Sequence, residues 1–566
     1  MKVVIVGGVA GGASAAARIR RLDNHATIVM FERGAHVSFS NCALPYYVGG
    51  AVESSDALIM MTPASFKARH DIDVRVMSEV IAILREEKCV LVRETDTGRE
   101  YKESYDKLVL APGANAVKPK SITGVNSKNV FTVRNVTDVC RLKAYVDEVG
   151  AQNIVVAGGG FVGMELAENF VKAGKSVSLI EGAEQVMAPF DQDMAQILHK
   201  EMADNGVRLY LGSMVREITD TSVKATKDGK EIEVPAEAVV LAIGVAPETA
   251  LAVQAGLEIG ESRGIKINHN YQTSDPNIYA VGDAIETFDR MGRKYGSLPL
   301  AGPAQRQARA AADHICGMQH NNNGFIGTAC LRMFGQNAAC TGMNEKAAQK
   351  AGIPYDVAYV LPSDKVGIMP DAHYMAFKLL FEVPTGRVLG AQAIGKGDVT
   401  RRIDVIATMI TMGGTLEDLK ELELCYSPVY GTAKDVVNIA ALVGLNLLYG
   451  RIRQVRVSDV RALVESGAYI IDVREEKEYE RGHIKGAKNI PLSQFKERMH
   501  EVPRDIPVYL HCRTSQRSYY ALCELLGNGY DNAANISGSF LGICLYEYFK
   551  DQSEGREPIV TAYNFN

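Results

Sequence analysis

Ile154-Val155-Val156-Ala157-Gly158-Gly159-Gly160-Phe161-Val162-Gly163 is the stretch that decides the fold. Four β-prone apolar residues run straight into a glycine loop with G-x-G-x-x-G spacing, and a helix pattern follows. Ser176-Val177-Ser178-Leu179-Ile180 then reads as a second strand that ends at Glu181. Such a βαβ unit turns the helix N-terminus toward a pyrophosphate and leaves the acidic residue to accept a hydrogen bond from a ribose hydroxyl. Glu181 is followed by Gly182-Ala183-Glu184, with no Arg or Lys to meet a 2′-phosphate, so NADH is expected over NADPH.

The same pattern occurs at the start of the chain. Lys2-Val3-Val4-Ile5-Val6 leads into Gly7-Gly8-Val9-Ala10-Gly11-Gly12, a small-residue helix from Ala13 to Ala17, and the strand Thr27-Ile28-Val29-Met30-Phe31 ending at Glu32. Val9 stands where the middle glycine belongs, so the expected backbone approach is through Gly7, Gly8, Gly11 and Gly12. Two such units in one chain argue for two dinucleotides, a bound flavin on the first and a diffusible nicotinamide on Gly158, Gly160 and Gly163 of the second.

The chain has 566 residues, too many for one core, and roughly 100–200 residues per domain implies three to four domains. Its 62 basic and 67 acidic residues nearly cancel, leaving no broad field for nucleic acid or an anionic membrane. No apolar run is long enough to span a bilayer, and Met1 leads directly into the first strand rather than into a signal peptide. A cytoplasmic protein without membrane or nucleic-acid partners is therefore expected. The ten cysteines show neither C-x-x-C nor zinc spacing, so no metal site is expected and most should be plain thiols.

Further strings carry a resemblance to the two-dinucleotide flavoprotein disulfide reductases over roughly the first 450 residues. Tyr105 to Ala114, with Ala111 and Gly113, is similar to the family's strand and turn where the chain leaves the flavin domain. Thr273 to Ala284 is similar to its second flavin motif, which implies that Gly282 and Asp283 contact FAD. Pro299 to Arg306 resembles the start of the helix under the flavin ring. Glu165 matches a glutamate beside the nicotinamide, an ordinary helix-surface carboxylate being the other reading. From about Gly327 the strands Met375 to Phe381 and Val388 to Ile394, with helices around 400–412 and 416–421, resemble the family's dimerisation domain and imply a homodimer.

Cys42 lies in Ser38-Phe39-Ser40-Asn41-Cys42-Ala43-Leu44-Pro45-Tyr46. Glutathione-reductase-like enzymes cycle a cysteine pair here, but the next cysteine in this chain is Cys89. The redox partner of Cys42 should then be the sulfur of a small molecule, and its thiol should be lowered in pKa by a helix N-terminus and nearby donors. The string resembles the coenzyme A-disulfide and coenzyme A-persulfide reductases. The resemblance implies reduction of coenzyme A persulfide, coenzyme A disulfide or polysulfide through Cys42, with Ser38 and Asn41 holding the substrate arm. Arg18 and Arg21 fit either the phosphates of coenzyme A or a solvated helix face. Tyr426, in Leu424-Cys425-Tyr426-Ser427-Pro428, matches a tyrosine that reaches the partner's cysteine as proton donor. The group's other tyrosine is absent from Gly367-Ile368-Met369-Pro370.

Ala468-Tyr469-Ile470-Ile471-Asp472-Val473-Arg474 and Gly482-His483-Ile484-Lys485-Gly486-Ala487 resemble a rhodanese domain. Val508-Tyr509-Leu510-His511 leads into the loop Cys512-Arg513-Thr514-Ser515-Gln516-Arg517, whose inward N–H groups would stabilise a persulfide on Cys512 while Arg517 adds charge. Asp472 and Arg474 read as a structural ion pair, and His483 and His511 as packing or stabilising residues.

The expected architecture is α/β: two Rossmann-like dinucleotide-binding domains, an α+β dimerisation domain and an α/β rhodanese-like domain. Its expected boundaries are 1–115 with 265–325 for FAD, 116–264 for NAD, 326–446 for dimerisation, a linker at 447–457 and a rhodanese-like domain at 458–566. Two other readings stand beside the sulfur reductase. One is an NADH oxidase or peroxidase using a cysteine sulfenic acid, the other a flavin-based redox sensor or sulfur-relay protein.

Overall fold

The computed structural model describes residues 1–320 and 322–565 and divides into two compact units. The first comprises 1–183 with 210–325, the second 184–209 with the chain from 326 onward. No helix among the described residues is long and apolar enough to cross a membrane.

In the first unit, parallel pairing orders the strands Ile278–Ala280, Lys107–Leu110, Lys2–Val6, Thr27–Phe31 and Asp73–Arg75 into one sheet. Val3, Val4 and Ile5 are fully buried, as expected for a central parallel strand covered on both faces. The helix Ala10–Leu22 can lie close because the residues it buries, Gly11, Gly12, Ala15 and Ala16, are small. A second parallel sheet contains Ser176–Ile180, Asn153–Ala157, Ala238–Leu241 and Val130–Phe131, with the helix Phe161–Lys172 after its glycine loop. Each parallel core is accompanied by a three-stranded antiparallel sheet, Ser78–Leu84 with Cys89–Glu94 and Glu100–Ser104, and Met214–Ile218 with Ser222–Lys227 and Lys230–Pro235.

The second unit pairs Ala329–Met333, Gln336–Gly342, Val388–Gly395, Met375–Glu382 and Tyr355–Val360 into an antiparallel sheet, followed by the helices Val399–Met412 and Leu416–Lys420. Beyond it, a parallel sheet runs Gln454–Val455, Ala533–Ile536, Val508–His511, Tyr469–Asp472 and Lys488–Asn489. Together the four sheets give the expected two Rossmann-like, one α+β and one α/β rhodanese-like architectures.

The segment 184–209 lies inside the stretch expected for the nucleotide domain but packs with the second unit. Charge accounts for this. Lys378, in the middle of the strand Met375–Glu382, is 1% exposed, and its Nζ lies 2.7 Å from Asp193, 3.1 Å from Asp191 and 2.5 Å from Glu345. Asp191 is further held by Gln392, whose Nε2 donates to Oδ2 at 2.7 Å. An ammonium buried among three carboxylates stabilises them only while it is present, since removing one partner of a buried ion pair typically costs about 3–5 kcal/mol. Lys378→Met should therefore melt the second unit well below the parent protein while the first unit's transition holds. Equal melting of the two proteins by calorimetry would show that Lys378 does not anchor the 184–209 segment.

Candidate active sites

Both glycine loops have the same construction. Glu32 accepts hydrogen bonds from the backbone N–H of Gly8 (2.9 Å) and of Gly34 (2.8 Å), and Glu181 accepts from Gly159 (2.6 Å) and Ala183 (2.8 Å). Each carboxylate thus ties the end of the second strand to the loop after the first, and keeps lone pairs for a ribose hydroxyl. A Cβ on Gly12 would sit 1.8 Å from the Gly7 carbonyl, and one on Gly163 would sit 1.9 Å from that of Gly158, so these glycines are required by packing.

Gly160 is different. A Cβ there would meet no protein atom within 4 Å and φ is −82°, so nothing in the chain itself demands glycine. The space is reserved for something approaching the backbone, as the middle glycine of a dinucleotide loop requires. Its counterpart Val9 has φ −104°, which an L-residue adopts freely, and this explains how the first loop tolerates the departure. The helices Ala10–Leu22 and Phe161–Lys172 both begin with no side-chain cap and no acid in the first turn. Their leading N–H groups are therefore available to an anion. These features fit a pyrophosphate on each loop.

Cys42 occupies the single helical turn Asn41–Ala43, next to the helix Leu44–Val48, and is exposed. Ser38 anchors the segment. Its φ of +48° is held by its N–H donating to the Gly8 carbonyl at 2.8 Å and by its carbonyl accepting from Met60 N–H at 2.7 Å. Asn41 Nδ2 donates to the Arg134 carbonyl at 3.4 Å, and Arg134 Nη2 in turn donates to Ala114 O at 2.9 Å and lies 3.4 Å from Asp283. Tyr46 donates to Glu165 at 3.4 Å. Ser38, Asn41, Cys42, Glu165 and Asp283 thus fall in one neighbourhood, together with Arg134 and Tyr46, which the motifs did not single out.

The electrostatics of Cys42 correct the expectation of a lowered thiol. Partial burial of the sulfur raises its pKa first, then the charges of Glu165 and Asp283 raise it further. One turn of helix is too short to offset two carboxylates. Burial also pushes Glu165 up to about 7 and Asp283 above the usual carboxylate range. Glu165 therefore changes charge near neutral pH, and its charged form adds to the desolvation that already raises the Cys42 pKa.

Of the two candidate phosphate contacts, Arg18 is committed to Asp313 at 2.6 Å, while Arg21 is exposed. Tyr426 lies in the second unit and is 51% exposed.

Cys512 presents the opposite environment. It is 1% exposed and lies at the end of the strand Val508–His511, lining a cavity of about 310 Å³. Its N–H donates to Ser539 Oγ at 3.2 Å and its Sγ accepts from Ser518 Oγ at 3.5 Å. The helix Gln516–Gly527 begins without a side-chain cap or an acid in its first turn, so its leading N–H groups are available to an anion at the cavity mouth. Ser515, with φ +76°, makes the turn into that helix.

Arg517 lines the cavity but makes a bidentate pair with Glu478 at 2.6 and 2.7 Å, so its charge is partly neutralised. Arg474, Arg481 and Arg513 also line the cavity. Arg481 immediately precedes the quoted Gly482 string, and Arg513 was inside the quoted loop, but neither position announces a role in sequence. Asp472 and Arg474 form a buried pair at 2.6 Å. His511 is fully buried and kept neutral by desolvation, and His483 stacks on Tyr479 at 3.8 Å between centroids.

The model of the pyridine nucleotide-disulphide oxidoreductases matches residues 1–308, that family's dimerisation domain matches 331–435, and a rhodanese-like domain matches 456–545. The chain belongs to the pyridine nucleotide-disulphide oxidoreductases, FAD-dependent enzymes, with a rhodanese-like domain appended. Its full domain order is shared with the reduced Bacillus anthracis protein CoADR-RHD, at 41% identity and a TM-score of 0.92 over 97% of this chain and 98% of that one. It is also shared with an NAD-dependent persulfide reductase from A. fulgidus, at 34% identity and a TM-score of 0.90 over 95% and 99%. A coenzyme A disulfide reductase of Staphylococcus haemolyticus is 32% identical over 442 residues, covering 77% of this chain and 98% of the relative.

Because Glu165 raises the Cys42 pKa, Glu165→Gln should increase the thiolate fraction. Alkylation of Cys42 by iodoacetamide near neutral pH should be about threefold faster than in the parent, the gap closing in acid where Glu165 is already protonated. An unchanged rate across that range would remove Glu165 as the group controlling the thiol.

Proposed function

We propose that this chain reduces coenzyme A persulfide, coenzyme A disulfide or polysulfide with NADH, using Cys42 as the single redox thiol and Cys512 as a carrier of sulfane sulfur. The observation that carries this reading is the setting of Cys42. It is an exposed free thiol in the same neighbourhood as Glu165 and Asp283, tied through Ser38 to a bare glycine loop. Relatives named for coenzyme A disulfide and persulfide reduction match along nearly their whole lengths and support it.

A persulfide is consumed as RSSH + NADH + H⁺ → RSH + H₂S + NAD⁺, and a coenzyme A disulfide yields two thiols for the same electron pair. FAD, held on Gly7, Gly8, Gly11, Gly12, Glu32, Ala111, Gly113, Gly282 and Asp283, supplies transfer of that pair between nicotinamide and sulfur. NADH would be held on Gly158, Gly160, Gly163 and Glu181, with Glu165 on the helix that follows this loop. The carboxylate of Glu181 repels a 2′-phosphate and favours NADH over NADPH.

The protein's own task is at sulfur. Cys42 as thiolate attacks the substrate S–S bond, a mixed S–S bond forms, and the electron pair of the broken bond leaves on the departing thiolate. Ser38 and Asn41 brace the substrate arm. Arg21 is the candidate for its phosphates, and Tyr426 is the candidate proton donor in a homodimer built on the dimerisation domain. Glu165, able to hold or release a proton near neutral pH, controls the ionisation of Cys42.

Cys42→Ser should abolish anaerobic, NADH-dependent sulfide release from coenzyme A persulfide while the protein stays yellow. Sulfide release at the parent rate from that variant would place the chemistry elsewhere.

A further inference from the structure

The wall of the Cys512 cavity is not built by the rhodanese-like domain alone. Tyr374, from the dimerisation domain, lines it together with Cys512 and Arg513. The residue stands immediately before the strand Met375–Glu382, and its backbone is fixed on both sides. Tyr374 bridges Ser363 in antiparallel fashion, the Asp364 N–H donates to the His373 carbonyl at 2.8 Å, and the Met375 N–H donates to the Pro362 carbonyl at 2.9 Å. Asp364 Oδ1 accepts from the His373 N–H at 2.8 Å, and the buried Arg402 donates from Nη2 to the Asp364 carbonyl at 2.8 Å. The ring is thus presented by a braced turn.

Both domains lie in the second unit, and direct contacts join them. Arg456 pairs with Glu345, which also holds Lys378, and Gln454 Nε2 donates to the Val357 carbonyl at 2.8 Å. A Cβ on Gly538 would lie 2.6 Å from the Tyr359 ring, so the turn before the helix Ser539–Glu554 packs directly on the dimerisation sheet. Phe540, in the first turn of that helix, donates its N–H to the Cys512 carbonyl at 3.0 Å. The sheet that carries Tyr374 and the strand end that carries Cys512 are therefore held in a fixed relation.

Proton supply sets this phenol apart from its neighbours. The four arginines of the wall are hydrogen-bond donors that do not give up a proton in proteins. Glu478 accepts from Arg517, and that bond holds its carboxyl below the usual range, so it is ionised and carries no proton near neutral pH. Thr514, Gln516 and Asn564 carry nothing that ionises near neutral pH. His511 is fully buried and is not part of the wall. Tyr374 remains, with a phenol that can give a proton and, at 44% exposure, can regain it from water. Burial works against the Arg513 charge, while Cys544 and Tyr374 support it. Arg513 Nη2 is buried with no hydrogen-bond partner, so this guanidinium has a donor to spare for an oxygen anion beside it.

We propose that Tyr374 is a catalytic residue of the Cys512 site, the proton donor to the thiolate that departs when Cys512 takes up sulfur. This rests on the reading of Cys512 as a sulfur carrier, and it is separate from the candidate donor Tyr426 at Cys42. The Cys512 thiolate attacks the terminal sulfur of a persulfide RSSH. A new S–S bond forms on Cys512, the S–S bond of the persulfide breaks, and its electron pair leaves on RS⁻, which takes the phenolic proton and departs as RSH. The transferred sulfur keeps its own hydrogen, and water reprotonates the phenolate beside Arg513. The assistance grows with the basicity of the departing thiolate, because a weakly basic one leaves without a proton.

The test uses the FAD-loaded full chain carrying Cys42→Ala, so that Cys42 handles no sulfur, with Cys512→Ser as the background. Single-turnover loading of Cys512 is read by mass spectrometry as the gain of one sulfur atom, with glutathione persulfide and with trifluoroethyl persulfide, whose thiolate is far less basic. Tyr374→Phe keeps the ring and should slow loading from glutathione persulfide about tenfold or more, and loading from trifluoroethyl persulfide less than about twofold. A purely structural role at the cavity wall would slow both alike. Unchanged rates, or equal slowing with the two donors, would overturn the role of Tyr374 and leave the sulfur-carrier reading standing. Sulfur gain no greater than in the Cys512→Ser background, from both donors and with Tyr374 intact, would remove the sulfur-carrier reading and this role with it.

Discussion

The carboxylate clasp at each glycine loop is the contact on which the rest of the first unit depends. Glu32 and Glu181 each accept two backbone N–H groups, one from the loop after the first strand and one from just beyond the second. A charged acceptor makes these bonds stronger than neutral ones. The clasp fixes where each helix starts, and Gly12 and Gly163 let that helix settle against the loop. Two uncapped helix N-termini follow from this geometry. In the first copy it also places the Gly8 carbonyl where Ser38 binds it, and so positions the segment that carries Cys42.

The two cysteines of the proposed sulfur chemistry lie in contrasting surroundings. Cys42 is exposed, yet partial burial of its sulfur raises its pKa, and the charges of Glu165 and Asp283 raise it further. Cys512 is buried beneath a cavity lined by arginines and by the first turn of an uncapped helix. In the rhodanese-like domain Arg517 is paired with Glu478 and Arg474 with Asp472, which leaves Arg481 and Arg513 to set the charge of the cavity, a division of labour that falls on residues far apart in the chain.

Much of this was legible in the residues. The two strand–glycine–helix strings, the lone Cys42 and the Cys512 loop each depend on neighbours within about ten positions, because a turn, a helix N-terminus and a strand are local structures. The placement of 184–209 with the second unit was not legible, because it depends on Lys378 meeting Asp191, Asp193 and Glu345 across long separations. The loss of Arg18 to Asp313 is of the same kind.

The sequence by itself determined the order of domains, the glycine loops and the local setting of both candidate thiols, since each is written in contiguous residue types. The tertiary structure alone decided which charged groups surround them. Glu165 and Asp283 come to Cys42 from positions far along the chain, and Arg474 and Arg481 reach the Cys512 cavity from outside its loop. Charge and desolvation act through space, and only folding sets those distances.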